Sequence, residues 1–173
     1  MNKDSKVVKR VALSGILLAL TVIMLFLAST LPTSRLSFYA LSSFFVSFII
    51  IEFGAKYGFF FYFAALILAL AVIPDKIGLI PFAIFFGIYG LVKFYIEKLN
   101  RIIVEYILKV VFFNICLAIG IIFIKEFFLG SISIKVPLWA IIAALEIAFI
   151  VYDCVYSLII QYYKSRIRKS IGM

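Results

Sequence analysis

VALSGILLALTVIMLFLASTL, residues Val11–Leu31, carries no charged side chain, and none follows until Arg35. A helix needs about 20 apolar residues to cross the roughly 30 Å hydrocarbon core of a bilayer, and this run supplies them. Five more runs follow: Leu36–Ile51, Tyr57–Ile73, Ile77–Val92, Ile102–Ile124 and Val136–Gln161. The second and fourth are slightly short, so local thinning of the bilayer or anchoring by flanking Tyr and Lys is expected there. None shows the strict alternation of a membrane barrel strand, and a single strand cannot satisfy its backbone in lipid, so helices are favoured. Hydrophobic residues make up 66% of the chain and charged ones 14%. A soluble domain of this size has too much surface to hide that apolar content. The expected fold is all-α: residues 1–173 as one domain of six transmembrane helices.

The net charge of +9 suggests nucleic acid until its distribution is read. With six spans both termini share one side. That side carries Lys3, Lys6, Lys9, Arg10, Lys56, Lys93, Lys98, Arg101, Lys164, Arg166, Arg168 and Lys169, whereas the opposite loops hold Arg35, Lys76, Lys125 and Lys135. This asymmetry predicts cytoplasmic termini in a multi-pass protein of the cell membrane. The basic excess then reports topology and contact with anionic lipid, with no nucleic-acid partner expected. The first run follows four basic residues but is longer than a signal-peptide core of about 7–15 residues, so it is expected to stay in the membrane. Cys116 and Cys154 both fall inside spans and form no CxxC pair.

The loops are short. Pro32 to Arg35, Glu52 to Lys56 and Pro74 to Lys76 join successive spans, and Lys93–Arg101 is expected as an inner loop extending helix four along the headgroups. Lys125–Lys135 alternates at Gly130–Ile134, which suggests a short extended lid. The chain has no histidine, no GxxxxGK[ST] loop, no nucleophile elbow and no Gly-rich dinucleotide turn. No catalytic residue, metal site or cofactor is therefore expected.

The informative side chains are those that apolar spans tolerate at a cost. A charge near mid-bilayer costs on the order of 2.5–3.5 kcal/mol on insertion scales, so it needs a partner. At 1.5 Å per residue, Lys109 and Asp153 each lie about 12 Å from the inner end of their segments, a level at which they can form a structural ion pair; Glu105 is the alternative partner for Lys109. Glu146 and Asn114 lie at about 22 and 20 Å and can also meet. Glu146 is then either a ligand or ion contact or a hydrogen-bonded packing residue. By position, Arg35, Asn114, Trp139 and Glu146 are the candidate substrate-binding residues, with Trp139 either a stacking wall or an interfacial anchor. Tyr57, Tyr89, Tyr95, Tyr162 and Tyr163 fall near span ends, as anchors do. Small residues form a second pattern: Ala12, Gly15 and Ala19 on helix one, Ala64, Ala65, Ala69 and Ala71 on helix three, Gly87 and Gly90 on helix four. Such stripes let membrane helices approach closely.

Gly54-Ala55-Lys56-Tyr57-Gly58 resembles the G-x-K-Y-G-type turn between helices two and three of the substrate-binding S components of energy-coupling-factor (ECF) vitamin transporters. Phe86-Gly87-Ile88-Tyr89-Gly90 is similar to the glycine-bearing fourth helix of that family. Ala12, Gly15 and Ala19 occupy the region of its A-x-x-x-A-type docking stripe, with Ile16 interrupting strict four-residue spacing. The resemblance implies capture of a vitamin-like small molecule at the outer face. It also implies partners, a transmembrane coupling protein and two ATPase subunits, that supply the energy. Two other readings stand beside it. One is a non-catalytic membrane scaffold or interaction protein of the cell-wall machinery type, without a small-molecule ligand. The other is an intramembrane enzyme using Glu146 and Asp153, which lie about 10 Å apart along one helix, wide for shared proton chemistry.

Overall fold

The computed structural model describes residues 3–127 and 138–167. Six helices account for nearly all of them: α1 (Lys3–Thr30), α2 (Arg35–Phe53), α3 (Ala55–Val72), α4 (Gly87–Glu97), α5 (Ile102–Phe127) and α6 (Leu138–Tyr162). No strand occurs among the described residues. Each helix, α4 together with the turns that precede it, is long and apolar enough to cross a membrane. The chain is an all-α, multi-pass membrane protein. The second and fourth spans are longer than the sequence suggested, Arg35–Phe53 and Ile77–Glu97, because the helices absorb the charged residues at their ends.

The chain divides into two compact units, Met1–Lys109 and Val110–Met173. In the first, α2 packs against α1, α3 and α4, and α3 also meets α1 and α4. Its core is Tyr39, Val46, Ile49, Phe61, Tyr62, Phe82 and Tyr89. The buried hydroxyls turn back on their own helices: Thr21 donates to the Leu17 carbonyl at 2.8 Å, and Ser42 and Ser43 to those of Tyr39 and Ala40 at 2.7 Å. In an apolar surrounding a hydroxyl without an acceptor is costly, and these three are satisfied locally. Tyr89 belongs to this core at 0% exposure and Tyr163 is also buried, so neither is the expected span-end anchor; Tyr57, Tyr95 and Tyr162 are exposed as anchors should be.

One glycine makes the α2–α3 turn and another lets α3 and the α4 segment approach closely. Gly54, at φ 95°, is the single residue between α2 and α3, and its positive φ is open to glycine at no steric cost. At Gly87, a Cβ would sit 2.5 Å from Tyr62 Cε2 and 2.9 Å from the Phe82 carbonyl oxygen. Gly87 closes a π-helical turn, Phe82–Phe86, that follows Pro81, and its N–H bonds to the Phe82 carbonyl. Tyr62 donates to the Ala83 carbonyl at 2.7 Å, satisfying an acceptor within the widened turn.

The inner stretch from Lys93 was expected to extend helix four along the headgroups, and α4 does run on to Glu97 before Asn100 (φ 52°) redirects the chain into α5; Lys93 itself, however, is buried at 1% exposure rather than lying among headgroups. In the second unit α5 and α6 are joined by Phe113 stacked on Phe149, with centroids 4.5 Å apart, and by a hydrogen bond at the adjoining residues Asn114 and Glu146. Helix α5 continues through Phe127, and the expected lid at Gly130–Ile134 lies outside the described residues.

Candidate functional site

Three polar constellations interrupt the apolar helices. The first gathers at the end of unit one formed by the α1–α2 and α3–α4 connections. Arg35, the first residue of α2, reaches Asp75 with Nη2 to Oδ2 at 3.6 Å, and its Nε is buried with no hydrogen-bond partner among the described residues. Asp75 also accepts from the Gly78 N–H at 2.9 Å, which shapes the turn. One turn along α2, the Tyr39 hydroxyl donates to the Gly78 carbonyl, so Arg35 and Tyr39 clamp the same turn from two points. Lys76 donates to the Ile73 and Leu70 carbonyls, closing the C-terminus of α3, where a cation complements unpaired carbonyls and the helix dipole. Lys76 is thereby engaged, whereas Arg35 keeps donor capacity. Sequence reasoning selected Arg35 and missed Asp75 and Tyr39; the Asp75-x-x-Gly78 turn was the available signal for Asp75.

The second constellation is in unit two. Asn114 Nδ2 donates to Glu146 Oε1 at 2.6 Å, the meeting expected from depth along the two helices. Asn114 also donates to the Val110 carbonyl at 3.0 Å. Asn114 is exposed and Glu146 half-buried, so this carboxyl and carboxamide are open to what surrounds the helices. Glu146 Oε2 and the Asn114 side-chain carbonyl oxygen are acceptors suited to N–H or O–H groups of a ligand. Trp139 lies in the first turn of α6, and its side chain is outside the described residues. Arg35 belongs to one unit and Asn114, Glu146 and Trp139 to the other.

The third is a cluster of charge around Glu97. Its Oε1 accepts from Lys93 Nζ at 2.7 Å and from Lys109 Nζ at 3.1 Å. Both lysines are buried, at 1% and 6% exposure. Lys109 also lies 5.8 Å from the Tyr106 ring centroid, within cation–π range. The carboxylate seen with Lys109 inside unit one is thus Glu97. Asp153, its expected partner, is a buried residue of unit two, and its backbone carbonyl accepts from Ser157 at 2.8 Å. The Glu97 role went unread because Lys93 and Glu97 were placed on an extension of helix four facing the headgroups; their i, i+4 spacing was the signal.

On α1 the packed side is Thr21, Leu25 and Ala28, each 0% exposed. Ala12, Gly15 and Ala19 are all exposed, with open space where a Gly15 Cβ would stand. Two and a half turns separate Ala12 from Thr21 at 3.6 residues per turn, so the small-residue stripe and the packed side face opposite ways.

No protein-family model matches the chain, and neither a curated protein nor a solved structure does.

Proposed function

We propose that the protein is the membrane-embedded, substrate-binding S component of an ECF-type transporter, capturing a vitamin-like small molecule at the outer face of the cell membrane. The observation that carries this reading is Arg35. A guanidinium at a helix start, held by one carboxylate at 3.6 Å and retaining a buried Nε–H without an acceptor, is suited to an acceptor or anionic group on a ligand. The charge asymmetry favours an outer position for Arg35 with both termini in the cytoplasm. Within unit two, the hydrogen-bonded Asn114 and Glu146 are a separate polar feature of the apolar helices. The chain carries no nucleotide-binding loop, so energy for uptake comes from two partner ATPases through a transmembrane coupling protein.

Purification of the native protein, with mass spectrometry of what accompanies it, tests this reading. The expected result is one retained small molecule together with membrane and ATPase partners. Arg35→Ala then weakens that molecule's affinity about 10-fold or more, the scale of a charged hydrogen bond, and Glu146→Gln weakens it less. Protein partners without any small molecule would instead identify a scaffold, and a retained ligand indifferent to both substitutions would remove the site.

The α1 stripe supports the partner half of the proposal. Leucine at Gly15 projects into open space, so Gly15→Leu is expected to leave the unfolding midpoint unchanged while removing the co-purified coupling protein. A variant that keeps its partner in a pull-down shows that docking occurs elsewhere.

A further inference from the structure

A cavity of about 650 Å³ lies between the first half of α3 and α4, within unit one. Its walls include Phe59, Phe63, Ile88 and Val92, and Lys56 and Tyr95 stand at one end. The volume falls in the range of about 300–1,000 Å³ typical of small-ligand sites. From Lys56 to Phe63 the wall is about 10 Å long, less than the roughly 15 Å of one leaflet's hydrocarbon. The groove is therefore apolar, confined to one leaflet and cationic only at its headgroup end.

We propose that this groove is a binding site for one anionic phospholipid, with an acyl chain along the aromatic walls and the phosphate at Lys56. The charge at the mouth favours that occupant. Lys56 is exposed, and Arg10 lies close by, 5.8 Å from the centroid of the neighbouring Tyr57 ring. The Glu97 carboxylate is held by Lys93 and Lys109, and among the described residues Lys56 forms no ion pair, with Glu52 or any other carboxylate. Tyr95 is 61% exposed and adds a hydroxyl at headgroup level. The wall chemistry disfavours a partner helix, because helices pack in membranes through small residues that bring backbones together. Here Phe59 and Phe63, 50% and 43% exposed and packed edge to face with centroids 4.8 Å apart, hold any second backbone away, whereas a flexible acyl chain can lie along the surface the two rings form. The proposal is independent of the transport reading.

Native mass spectrometry of the purified chain, titrated separately with phosphatidylglycerol and phosphatidylcholine of matched acyl chains, tests it. The expected result is about five-fold tighter binding of phosphatidylglycerol, the scale of one lysine near a lipid phosphate. Lys56→Ala abolishes that preference, and Lys98→Ala preserves it. Val92→Trp fills the groove and weakens both lipids; Ile88→Phe replaces it if the tryptophan variant does not fold. Equal binding of the two lipids by the native chain overturns the proposal, as does a preference that survives Lys56→Ala. So does unchanged affinity in a folded groove-filling variant, or a photo-crosslinker at Val92 that captures a protein and no lipid.

Discussion

Valine at Gly87 is expected to destabilise the purified protein by about 2–4 kcal/mol. A Cβ at this position meets Tyr62 ring carbons at 2.5 and 2.6 Å and the Phe82 carbonyl oxygen at 2.9 Å, all closer than real side chains tolerate. The carbonyl belongs to the π-helical turn and accepts the Gly87 N–H, so it does not move freely. The Tyr62 ring is tethered as well, through its hydroxyl on the Ala83 carbonyl at 2.7 Å. Relief therefore requires tilting the ring and giving up that bond. Overpacking of this kind costs about 1–3 kcal/mol, and the lost hydrogen bond about 1 kcal/mol more. For a chain of this length that is a fall of roughly 5–15 °C in the unfolding midpoint, measurable by thermal unfolding in detergent. Adding Tyr62→Leu to Gly87→Val, which frees the space the ring occupies, is expected to recover part of the loss. A Gly87→Val midpoint equal to that of the native protein would show that α3 and α4 do not approach as described.

Removal of the Glu97 carboxylate is expected to be nearly as costly. Lys93 and Lys109 both donate to one of its oxygens, at 2.7 and 3.1 Å, so their ammonium groups lie within about 6 Å of each other. At an effective dielectric constant of about 20, two like charges at that distance repel by on the order of 3 kcal/mol. Glu97 itself is 41% exposed at its side chain, and solvent or lipid headgroups screen part of this, leaving about 2 kcal/mol for Glu97→Ala. The diagnostic is the second change. Lys93→Met alone removes a favourable pair with Glu97, and in the Glu97→Ala background that pair is already gone, so the substitution should cost less there than in the native protein. If Lys93→Met lowers stability equally in both backgrounds, the three charges do not act as a cluster.

What could be read beforehand divides along a physical line. Uninterrupted apolar runs are local properties, so the number and order of the six helices were legible from composition and loop length. The burial of Lys93 at the inner end of α4 was not. Lys93 and Glu97 look like headgroup residues in isolation, and the cluster in which Lys93 is buried needs the Glu97 carboxylate one turn on and Lys109 arriving from the next helix. Tyr89 failed in the same way, since its position near the end of an apolar run says nothing of the core around it. Depth along a helix is also local arithmetic, which is why the meeting of Asn114 with Glu146 could be anticipated. Arg35 was identifiable as an isolated charge between two spans. Its link to Asp75 depends on how the turn after α3 folds back beside α2, a tertiary fact carried by Tyr39 and the Gly78 carbonyl.

The connector at Gly54 carries a consequence for how the chain reaches its place. With one residue between Phe53 and Ala55, the two flanking helices have no slack, so they enter the bilayer as a joined hairpin and settle at a common height. Glu52 and Lys56 are thereby pinned to a single plane of the headgroup region. Lowering or raising either helix drags its neighbour along.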